Sequence, residues 1–367
     1  MTVDEIAAKS SRNERVTPEE ALTLWREAPL ALLGRLAMAR KRALSGDALY
    51  FNRNIHIEPT NLCLHRCRFC SYRRQSGEEG VWEYSLEEIA RIARSHAHKR
   101  LTEVHITGGL HPDHDLAFYE GIIRRIKGVF PQAAVKAFSA TELTYVFEKA
   151  GVTADEGLQR LQAAGLEAIP GGGAEIFDAA IRAYIAPDKG SAERWMAIHE
   201  AAHHRGIGSN ATMLYGHVEG VEHRIDHLER LRTLQDRTGG FSAFIPLKYR
   251  SAGNALSVAD GSSALTGQSV SEVSAVEDMR TLAMSRIFLD NFPHIKAYWP
   301  MYGKTVAEMA LVFGADDIDG TIDDTTRIYA MAGAEEQCPA LSIDEIAAMA
   351  AAAGLRAVER DTFYHPL

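Results

Sequence analysis

Cys63-Leu64-His65-Arg66-Cys67-Arg68-Phe69-Cys70 is the stretch that decides the fold of this chain. It places three thiols within eight residues, at spacings of four and three. Thiolates select iron–sulfur clusters or zinc, and a complete site of either kind normally has four ligands. Three thiolates therefore hold three corners of a cubic iron–sulfur cluster and leave the fourth iron open to bind and reduce another molecule.

The same cysteines have plainer interpretations. A CxxC pair such as Cys67 and Cys70 is also half of a zinc site or a redox dithiol. The fourth cysteine, Cys338, stands far along the chain beside Pro339, without a nearby CxxC or HxxxH partner set. It completes a closed four-cysteine metal site only if the fold brings it back to the loop; otherwise it is an ordinary buried thiol.

Length and composition indicate a large soluble enzyme. The chain has 367 residues and a net charge of −9, so we expect a small-molecule substrate and no nucleic-acid partner. No apolar run approaches the ~20 residues that span a bilayer, and residues 1–33 lack a signal-peptide pattern. A cytoplasmic protein with no membrane partner is therefore expected, and a reducing compartment also suits a chain with so few cysteines.

Short strand-like runs alternate with longer helical patterns. The candidate strands are Asn54–Pro59, Glu103–Thr107, Ala134–Phe138, Ala168–Pro170, Gly208–Thr212, Ala243–Pro246, Ile295–Trp299 and Asp316–Gly320. Stretches between them carry helix caps, as in Ser85-Leu86-Glu87-Glu88, and this alternation predicts a parallel sheet. Eight units predict an α/β fold built on a closed (β/α)8 TIM-type barrel, and a six-unit partial barrel is the alternative.

We expect three segments along the chain. Residues 1–52 form an N-terminal helical extension, residues 53–340 the barrel, and residues 341–367 a C-terminal helix and tail. Residues 251–276 are rich in Ser, Ala and Gly and predict a long loop between the sixth and seventh strands. That loop is either a lid or a tolerated insertion.

Catalytic residues of an α/β barrel lie at the carboxyl ends of its strands. The cysteine loop follows the first candidate strand, and Thr107-Gly108-Gly109-Leu110 follows the second. Two glycines there let backbone groups approach a ligand closely, or simply form a turn. Pro170-Gly171-Gly172-Gly173-Ala174-Glu175 follows the fourth strand, without the Lys and Ser/Thr that a phosphate-binding P-loop requires.

The CxxxCxxC spacing, with an aromatic residue before the last cysteine, resembles the signature of radical S-adenosylmethionine (SAM) enzymes. That resemblance implies a [4Fe–4S] cluster whose open iron chelates the amino and carboxylate groups of SAM. The implied ligands of the cluster are Cys63, Cys67 and Cys70, and the implied SAM-binding residues are Phe69, Gly108, Gly109, Ser139 and Glu175. Ser139 would donate to the SAM carboxylate and Glu175 would accept from the ribose hydroxyls. A solvated turn serine and a first-turn helical glutamate are the alternatives.

Further segments resemble the aminofutalosine synthases of the futalosine pathway to menaquinone, over roughly residues 50–365. The segments that carry this resemblance are the cysteine loop, His105–Pro112, Gly171–Phe177, Ser209–His217, Phe244–Lys248, His294–Met301 and Gly314–Thr321. Related enzymes include cyclic dehypoxanthinylfutalosine synthase and the paired enzymes that build the deazaflavin chromophore. One departure is Ser71-Tyr72 after the last cysteine, where the family is expected to have a small residue and Phe.

The resemblance implies a transferase that adds the 5′-deoxyadenosyl radical to the enolpyruvyl double bond of 3-[(1-carboxyvinyl)oxy]benzoate, with rearrangement and decarboxylation to aminodeoxyfutalosine. SAM is then consumed as a co-substrate, and a flavodoxin- or ferredoxin-type protein supplies the electron. The substrate carries two carboxylates, so its pocket needs cations or neutral hydrogen-bond donors. The candidate cations are Arg53, Arg73, Lys248, Arg250 and Lys296, and the candidate neutral donors are His56, Asn210, Tyr215, His217 and Tyr298.

His217 and Lys296 are the leading candidates for catalytic residues, because each is isolated among apolar or small residues at a predicted strand end. Arg73, Asn210, Tyr215, Lys248 and Tyr298 are predicted to bind the substrate. Two other classes of function stay open: a relative that abstracts hydrogen and releases free 5′-deoxyadenosine, and a non-catalytic metal protein in which Cys338 is the fourth ligand.

Overall fold

A computed structural model describes residues 1–258, 270–322, 328–333 and 340–367. The helices are α1 Val3–Ser11, α2 Pro18–Glu27, α3 Leu30–Ser45, α4 Leu86–Ser95, α5 Leu116–Val129, α6 Ala140–Ala150, α7 Ala154–Ala164, α8 Ala179–Ile185, α9 Ala192–His204, α10 Val221–Thr238, α11 Ala255–Val258, α12 Ala275–Phe288, α13 Trp299–Tyr302, α14 Lys304–Ala310, α15 Ile328–Met331 and α16 Ile343–Ala352. The strands are β1 Ala48–Asn52, β2 Asn54–Ile57, β3 Glu103–Ile106, β4 Ala134–Ala137, β5 Leu166–Ile169, β6 Gly208–Tyr215, β7 Phe241–Lys248, β8 His294–Ile295, β9 Asp317–Gly320 and β10 Arg356–Glu359.

The strands form a parallel ring. Strands β2 to β8 make one parallel sheet in chain order, and β9 pairs with β1 in a smaller sheet. A single bridge between Lys296 and Asp317 joins β8 to β9, and β1 continues into β2 across Arg53. Eight strand positions therefore follow one another around the barrel, which confirms the predicted α/β TIM-type fold.

Capping boxes start three of the helices that surround the barrel, α4, α6 and α7. Ser85 and Thr153 each accept a hydrogen bond from the backbone three residues on, and the glutamate there binds back to the cap. Such a cap stabilises a helix by about 1 kcal/mol, so the local sequence fixes where each helix begins. The capping boxes predicted at Thr17 and Ser342 are also present.

The two faces of the strands differ in polarity. Val104 and Val135 are fully buried beneath the outer helices, and burial of each such side chain contributes about 1.5–3 kcal/mol. His56, His105 and Lys136 lie in register on β2, β3 and β4 and form a polar layer across the sheet. The barrel therefore has an apolar shell and a polar centre.

Two short strands were not expected from the sequence. Strand β1 lies inside the segment that we expected to be wholly helical, because α3 ends at Ser45 and Gly46 takes a φ of 59°. Strand β10 follows the predicted C-terminal helix and pairs with β1. The three predicted segment boundaries stay predictions, and Cys338 and residues 259–269 of the predicted loop lie outside the described residues.

No helix in the described ranges is long and apolar enough to cross a membrane. This finding agrees with the absence of a long apolar run in the sequence. The predicted cytoplasmic location stays a prediction.

Candidate active site

The cysteine loop lies at the carboxyl end of β2 and borders a cavity of about 100 Å³, here called the cysteine cavity. Its lining residues are Cys63, His65, Cys67, Phe69, Cys70, Tyr72, Arg73, Gly108, Gly109, Leu110, Ser139, Thr141, Glu142 and Lys189. Backbone bonds fix the loop: Leu64 N donates to the carbonyl oxygen of Leu110 at 2.9 Å, and Arg68 N donates to that of Ile185 at 2.8 Å. The three thiols are free of disulfides, and the fold brings them to one cavity as predicted.

Burial dominates the protonation of two of these thiols, Cys63 and Cys67. It raises the pKa of Cys67 to about 12 and also raises the pKa of Cys63, while the nearby Lys189 acts in the opposite direction. A metal ion displaces such protons when it binds, because only thiolates are ligands. Three soft donors around one cavity, with no fourth cysteine in the described ranges, fit a cluster with one open iron.

Gly108 and Gly109 are required by the packing of two loops. A Cβ at Gly109 would lie 2.3 Å from the carbonyl oxygen of Leu62, which no real side chain tolerates. Gly109 N donates to the carbonyl oxygen of Thr60 at 2.7 Å. The glycines thus press the loop after β3 against the cysteine loop, and their predicted contact with SAM stays a prediction.

Glu142 is a buried carboxyl group in the cysteine cavity that was missed at the sequence level. It accepts hydrogen bonds from the backbone and hydroxyl of Ser139 at 2.8 and 2.6 Å, from Thr107 at 3.1 Å and from Gly108 N at 3.2 Å. Burial nevertheless raises the pKa of Glu142 to about 7. In the sequence Glu142 is recognisable only as the glutamate of a capping box, and nothing there indicates that it also lies beside the cysteines.

Glu175 pairs with a lysine that was also missed. The carboxylate binds Lys189 Nζ, and that same ammonium group lies 5.3 Å from the centre of the Phe69 ring. Glu175 has a φ of 48°, and Arg182 holds the preceding turn by donating to the carbonyl oxygen of Gly173 at 3.0 Å. The pair joins the glycine turn after β5 to the cysteine loop.

A second cavity of about 100 Å³, here called the central cavity, lies inside the barrel. Its lining residues are Glu103, His105, Thr107, Lys136, Pro170, Gly171, Gly172, Asn210, Thr212, Ile245, Leu247, Lys296, Tyr298 and Asp319. Lys136 Nζ lies 2.5 Å from Glu103 Oε2, and Lys296 pairs with Asp319. The central cavity therefore holds two closed ion pairs with no net charge.

Comparisons with known proteins agree with this geometry. The family model described as the radical SAM superfamily matches residues 57–231, and the one described as the CofH/MqnC C-terminal region matches residues 238–366. Aminodeoxyfutalosine synthase of Thermus thermophilus is 41% identical over 98% of this chain and 94% of its own length. The Streptomyces coelicolor protein of the same name is 38% identical, over 99% and 93%.

The chain belongs to the aminodeoxyfutalosine synthase family of radical SAM enzymes. A cyclic dehypoxanthine futalosine synthase of Streptomyces coelicolor is 37% identical over 93% of this chain and 84% of its own length. Among solved structures, methylornithine synthase (PylB) superposes with a TM-score of 0.73 at 15% identity, covering 96% of each chain. Membership of this family implies a [4Fe–4S] cluster and SAM, and the three thiols around the cysteine cavity suit that requirement.

A third cavity of this radical SAM enzyme, about 160 Å³ in volume, lies beside the first and is called the rim cavity. Its described lining includes Phe69, Cys70, Ser71, Tyr72, Glu175, Leu214, Leu247, Lys248, Tyr249, Arg250, Met301, Ile328 and Ala332. Phe69 borders both the rim and the cysteine cavity, and Leu247 borders both the rim and the central cavity. Thr107 and Gly108 are consecutive residues of the central and cysteine cavities. The three cavities are therefore neighbours: the cysteine and rim cavities lie at the carboxyl ends of the strands, and the central cavity extends from there into the barrel as far as Glu103.

Several predicted site residues line these cavities. Lys296, Asn210 and Tyr298 border the central cavity, and Arg73 borders the cysteine cavity. Arg73 Nε lies 3.4 Å from the carbonyl oxygen of Cys67. Within the described part of the chain, no carboxylate lies within ion-pair distance of Arg73, so its guanidinium group is able to bind an anionic ligand beside the cysteines.

Other predicted site residues make protein contacts instead. His217 borders none of the three cavities; its Nδ1 lies 3.1 Å from Glu219 Oε2, and burial lowers its pKa. Tyr215 is fully buried and donates to Asp278 Oδ1 at 2.7 Å. Lys248 reaches the rim cavity but binds the same carboxylate at 2.8 Å. The small residues around His217 in the sequence belong to a buried turn in which the histidine contacts Glu219. Its catalytic role stays a prediction.

The remaining candidate hydrogen-bond donors, Arg53, Arg250 and His56, lie outside the cysteine and central cavities. Arg53 is at the amino end of β2, opposite the cysteine loop, and pairs with Glu359 at 2.9 Å. Arg250 borders the rim cavity and lies 3.4 Å from Glu272. His56 lies within the barrel, with its ring 4.5 Å from that of His105. Of these three, only Arg250 borders one of the cavities.

Proposed function

We propose that this chain is an aminodeoxyfutalosine synthase that acts on 3-[(1-carboxyvinyl)oxy]benzoate and yields 6-amino-6-deoxyfutalosine. The observation that carries the proposal is that the cysteine cavity and the central cavity inside the barrel adjoin at Gly108 and Thr107. When bound, the cluster and SAM supply a 5′-deoxyadenosyl radical that adds to the enolpyruvyl double bond. The identity of 41% over nearly the whole chain supports the same reaction.

The residues around the cysteine cavity bind and orient the cofactors. Cys63, Cys67 and Cys70 would hold the cluster, and the backbone of Gly108 and Gly109 forms the adjoining wall. Phe69, Ser139 and Glu175 are proposed to contact SAM. Ser139 is at the same time the N-cap of α6, and Glu175 is at the same time the partner of Lys189. Each proposed contact therefore adds to a structural bond that the residue already makes.

The substrate is proposed to lie across two cavities. Its double bond has to lie beside the cysteine cavity, where the radical forms, so the aromatic ring extends into the central cavity. Arg73 has no carboxylate partner in the described ranges and borders the cysteine cavity. We assign the enolpyruvyl carboxylate to Arg73, because a guanidinium group binds a carboxylate through two parallel hydrogen bonds. Lys296, Asn210 and Tyr298 then surround the aryl end.

The reaction requires an electron from outside this chain. We propose a flavodoxin- or ferredoxin-type protein as the donor, because such carriers deliver one electron at low potential. The radical SAM fold supports the need for a reductant, and the type of donor follows from the chemistry alone.

An anaerobic assay of the reconstituted protein with dithionite, SAM and 3-[(1-carboxyvinyl)oxy]benzoate tests the proposed function. The expected product, read by mass, joins the adenosyl group to the decarboxylated substrate. Cys63→Ala should abolish it. Release of free 5′-deoxyadenosine without this adduct would favour the hydrogen-abstracting alternative, which the 37% identity to a cyclic dehypoxanthine futalosine synthase keeps in view.

A pair of arginine variants tests the substrate orientation. Arg73→Met should raise KM for the substrate by about tenfold or more, because a charge-assisted hydrogen bond is lost. Arg91→Met is the matched control, since Arg91 lies on α4 with a largely exposed side chain and borders none of the three cavities. Equal KM values for the two variants would remove Arg73 from the substrate site.

A further inference from the structure

One buried polar atom beside the central cavity has no partner. His105 lies on β3 between His56 and Lys136, and it borders the central cavity. Its Nε2 is buried and makes no hydrogen bond to any described residue. A buried nitrogen without a partner is costly, so its position beside a cavity points to a ligand that completes the bond.

The ring of His105 is neutral. Burial and, to a smaller extent, the nearby His56 lower the pKa of His105 to about 3. The other charged groups beside it are Glu103 and Lys136, which pair with each other, and Asp319, which pairs with Lys296. An anion that enters this balanced cavity therefore needs a neutral donor, and a neutral imidazole carries one N–H.

We propose that His105 donates a hydrogen bond from Nε2–H to the benzoate carboxylate of the substrate, an inference that rests on the proposed function. The substrate offers only oxygen acceptors, so the nitrogen has to be the donor. His105 lies on the strand two residues before Thr107, deeper in the barrel than Gly108 of the cysteine cavity.

The benzoate carboxylate is retained in the product, so the bond is of similar strength throughout the reaction. Loss of such a uniform interaction raises KM and leaves kcat nearly unchanged. A structural role for His105 would instead lower kcat, cofactor content or both. The split between KM and kcat therefore separates a substrate contact from a packing role.

Binding to the cluster-loaded protein without reductant gives the direct test. Isothermal titration calorimetry would compare 3-[(1-carboxyvinyl)oxy]benzoate with 2-phenoxyacrylate, which lacks only the benzoate carboxylate. His105→Leu should reduce the wild-type preference for the first ligand by about tenfold or more. His105→Gln, which keeps an N–H donor, should restore part of it. His114→Leu is the control, since His114 borders none of the three cavities and stacks on Phe118.

An unchanged preference in His105→Leu would overturn the inference while leaving the proposed function intact. If His105→Leu does not fold, His105→Gln decides by the same preference, with its iron content as the check on folding. Failure of the wild-type protein to bind or convert the dicarboxylate would instead refute the proposed function, and the inference would fall with it.

Discussion

At the scale of single residues, substitution of individual cysteines distinguishes a cluster held by the three thiols of the cysteine loop from a closed site that also uses Cys338. Cys67→Ala should reduce iron from about four atoms per chain to below one, because a cubic cluster loses a corner ligand. Cys338→Ala is the matched control and should keep the cluster. Iron and sulfide analysis of anaerobically reconstituted protein measures both. Loss of iron in Cys338→Ala would favour the closed four-cysteine site.

Glu142 should make the stability of the apo-protein depend on pH. Its pKa of about 7 in the folded chain exceeds the ordinary value of 4.5 for a glutamate, so the folded state holds a proton that the unfolded state releases. The resulting stabilisation is fully present below about pH 4.5 and is lost as pH rises through 7. Relative to Glu142→Gln, which mimics the protonated form, wild-type unfolding free energy should fall by roughly 2–3 kcal/mol between pH 5 and 8.

Urea unfolding of the two apo-proteins at several pH values measures this difference. The glutamine variant removes the one titrating group and keeps a side chain of nearly the same size. A constant difference between pH 5 and 8 would mean that Glu142 stays ionised in the folded protein, held by its four hydrogen-bond donors.

Residue spacing predicted some members of the site and concealed others. The CxxxCxxC loop was predictable because its three ligands are close in sequence, and the cavity around it confirms their convergence. Lys136 and Lys189 were missed because each meets its carboxylate only through the fold: Glu103 lies on the neighbouring strand, and Glu175 lies in another loop. Sequence distance carries no signal for such pairs.

Among the elements, the strands whose faces are both buried were the easiest to predict. Strands β2, β4 and β9 are buried at every position, and the alternation of short strand-like runs with longer helical patterns predicted each of them. Strands β1 and β10 were missed because they lie outside the alternating pattern. Strand β10 has an exposed or half-buried residue at three of its four positions. Its alternation of apolar and polar residues is therefore too weak to distinguish a strand from an irregular tail.

At the scale of the helices, two capping boxes can be compared to test whether Ser139 only caps a helix or also contacts SAM. Ser139 and Thr153 each cap a helix, and their side chains accept from the backbone three residues on at 3.3 and 3.2 Å. Replacement of either by Ala should lower unfolding free energy by about 1 kcal/mol. Only Ser139→Ala should also weaken SAM binding, because Ser139 alone borders the cysteine cavity.

Urea unfolding and calorimetric titration of SAM into the cluster-loaded variants provide the two readouts. Thr153→Ala should bind SAM as the wild type does. If Ser139→Ala matches it in both measurements, the serine is a helix cap and its predicted contact with SAM is wrong.

At the scale of the whole molecule, the C-terminal tail closes the amino end of the barrel. Arg360 is fully buried and its Nε lies 2.8 Å from Asp317 Oδ2, while the Thr362 hydroxyl donates to Glu103 Oε2 at 2.8 Å. Asp317 also lies 3.7 Å from Lys296. The last residues of the chain therefore contact both ion pairs of the central cavity, through Asp317 and Glu103.

Removal of Arg360 should destabilise the whole barrel. Arg360→Met leaves the carboxylate of Asp317 buried beside Lys296 alone, and loss of one partner of a buried pair costs about 3–5 kcal/mol. Thr362→Val loses one hydrogen bond and should cost only about 1–2 kcal/mol. Urea unfolding of the apo-proteins measures both. Because Asp317 is the group left unpaired, Arg360→Met combined with Asp317→Leu should recover much of the loss; equal stability of the single and double variants would mean that Arg360 acts through packing rather than charge.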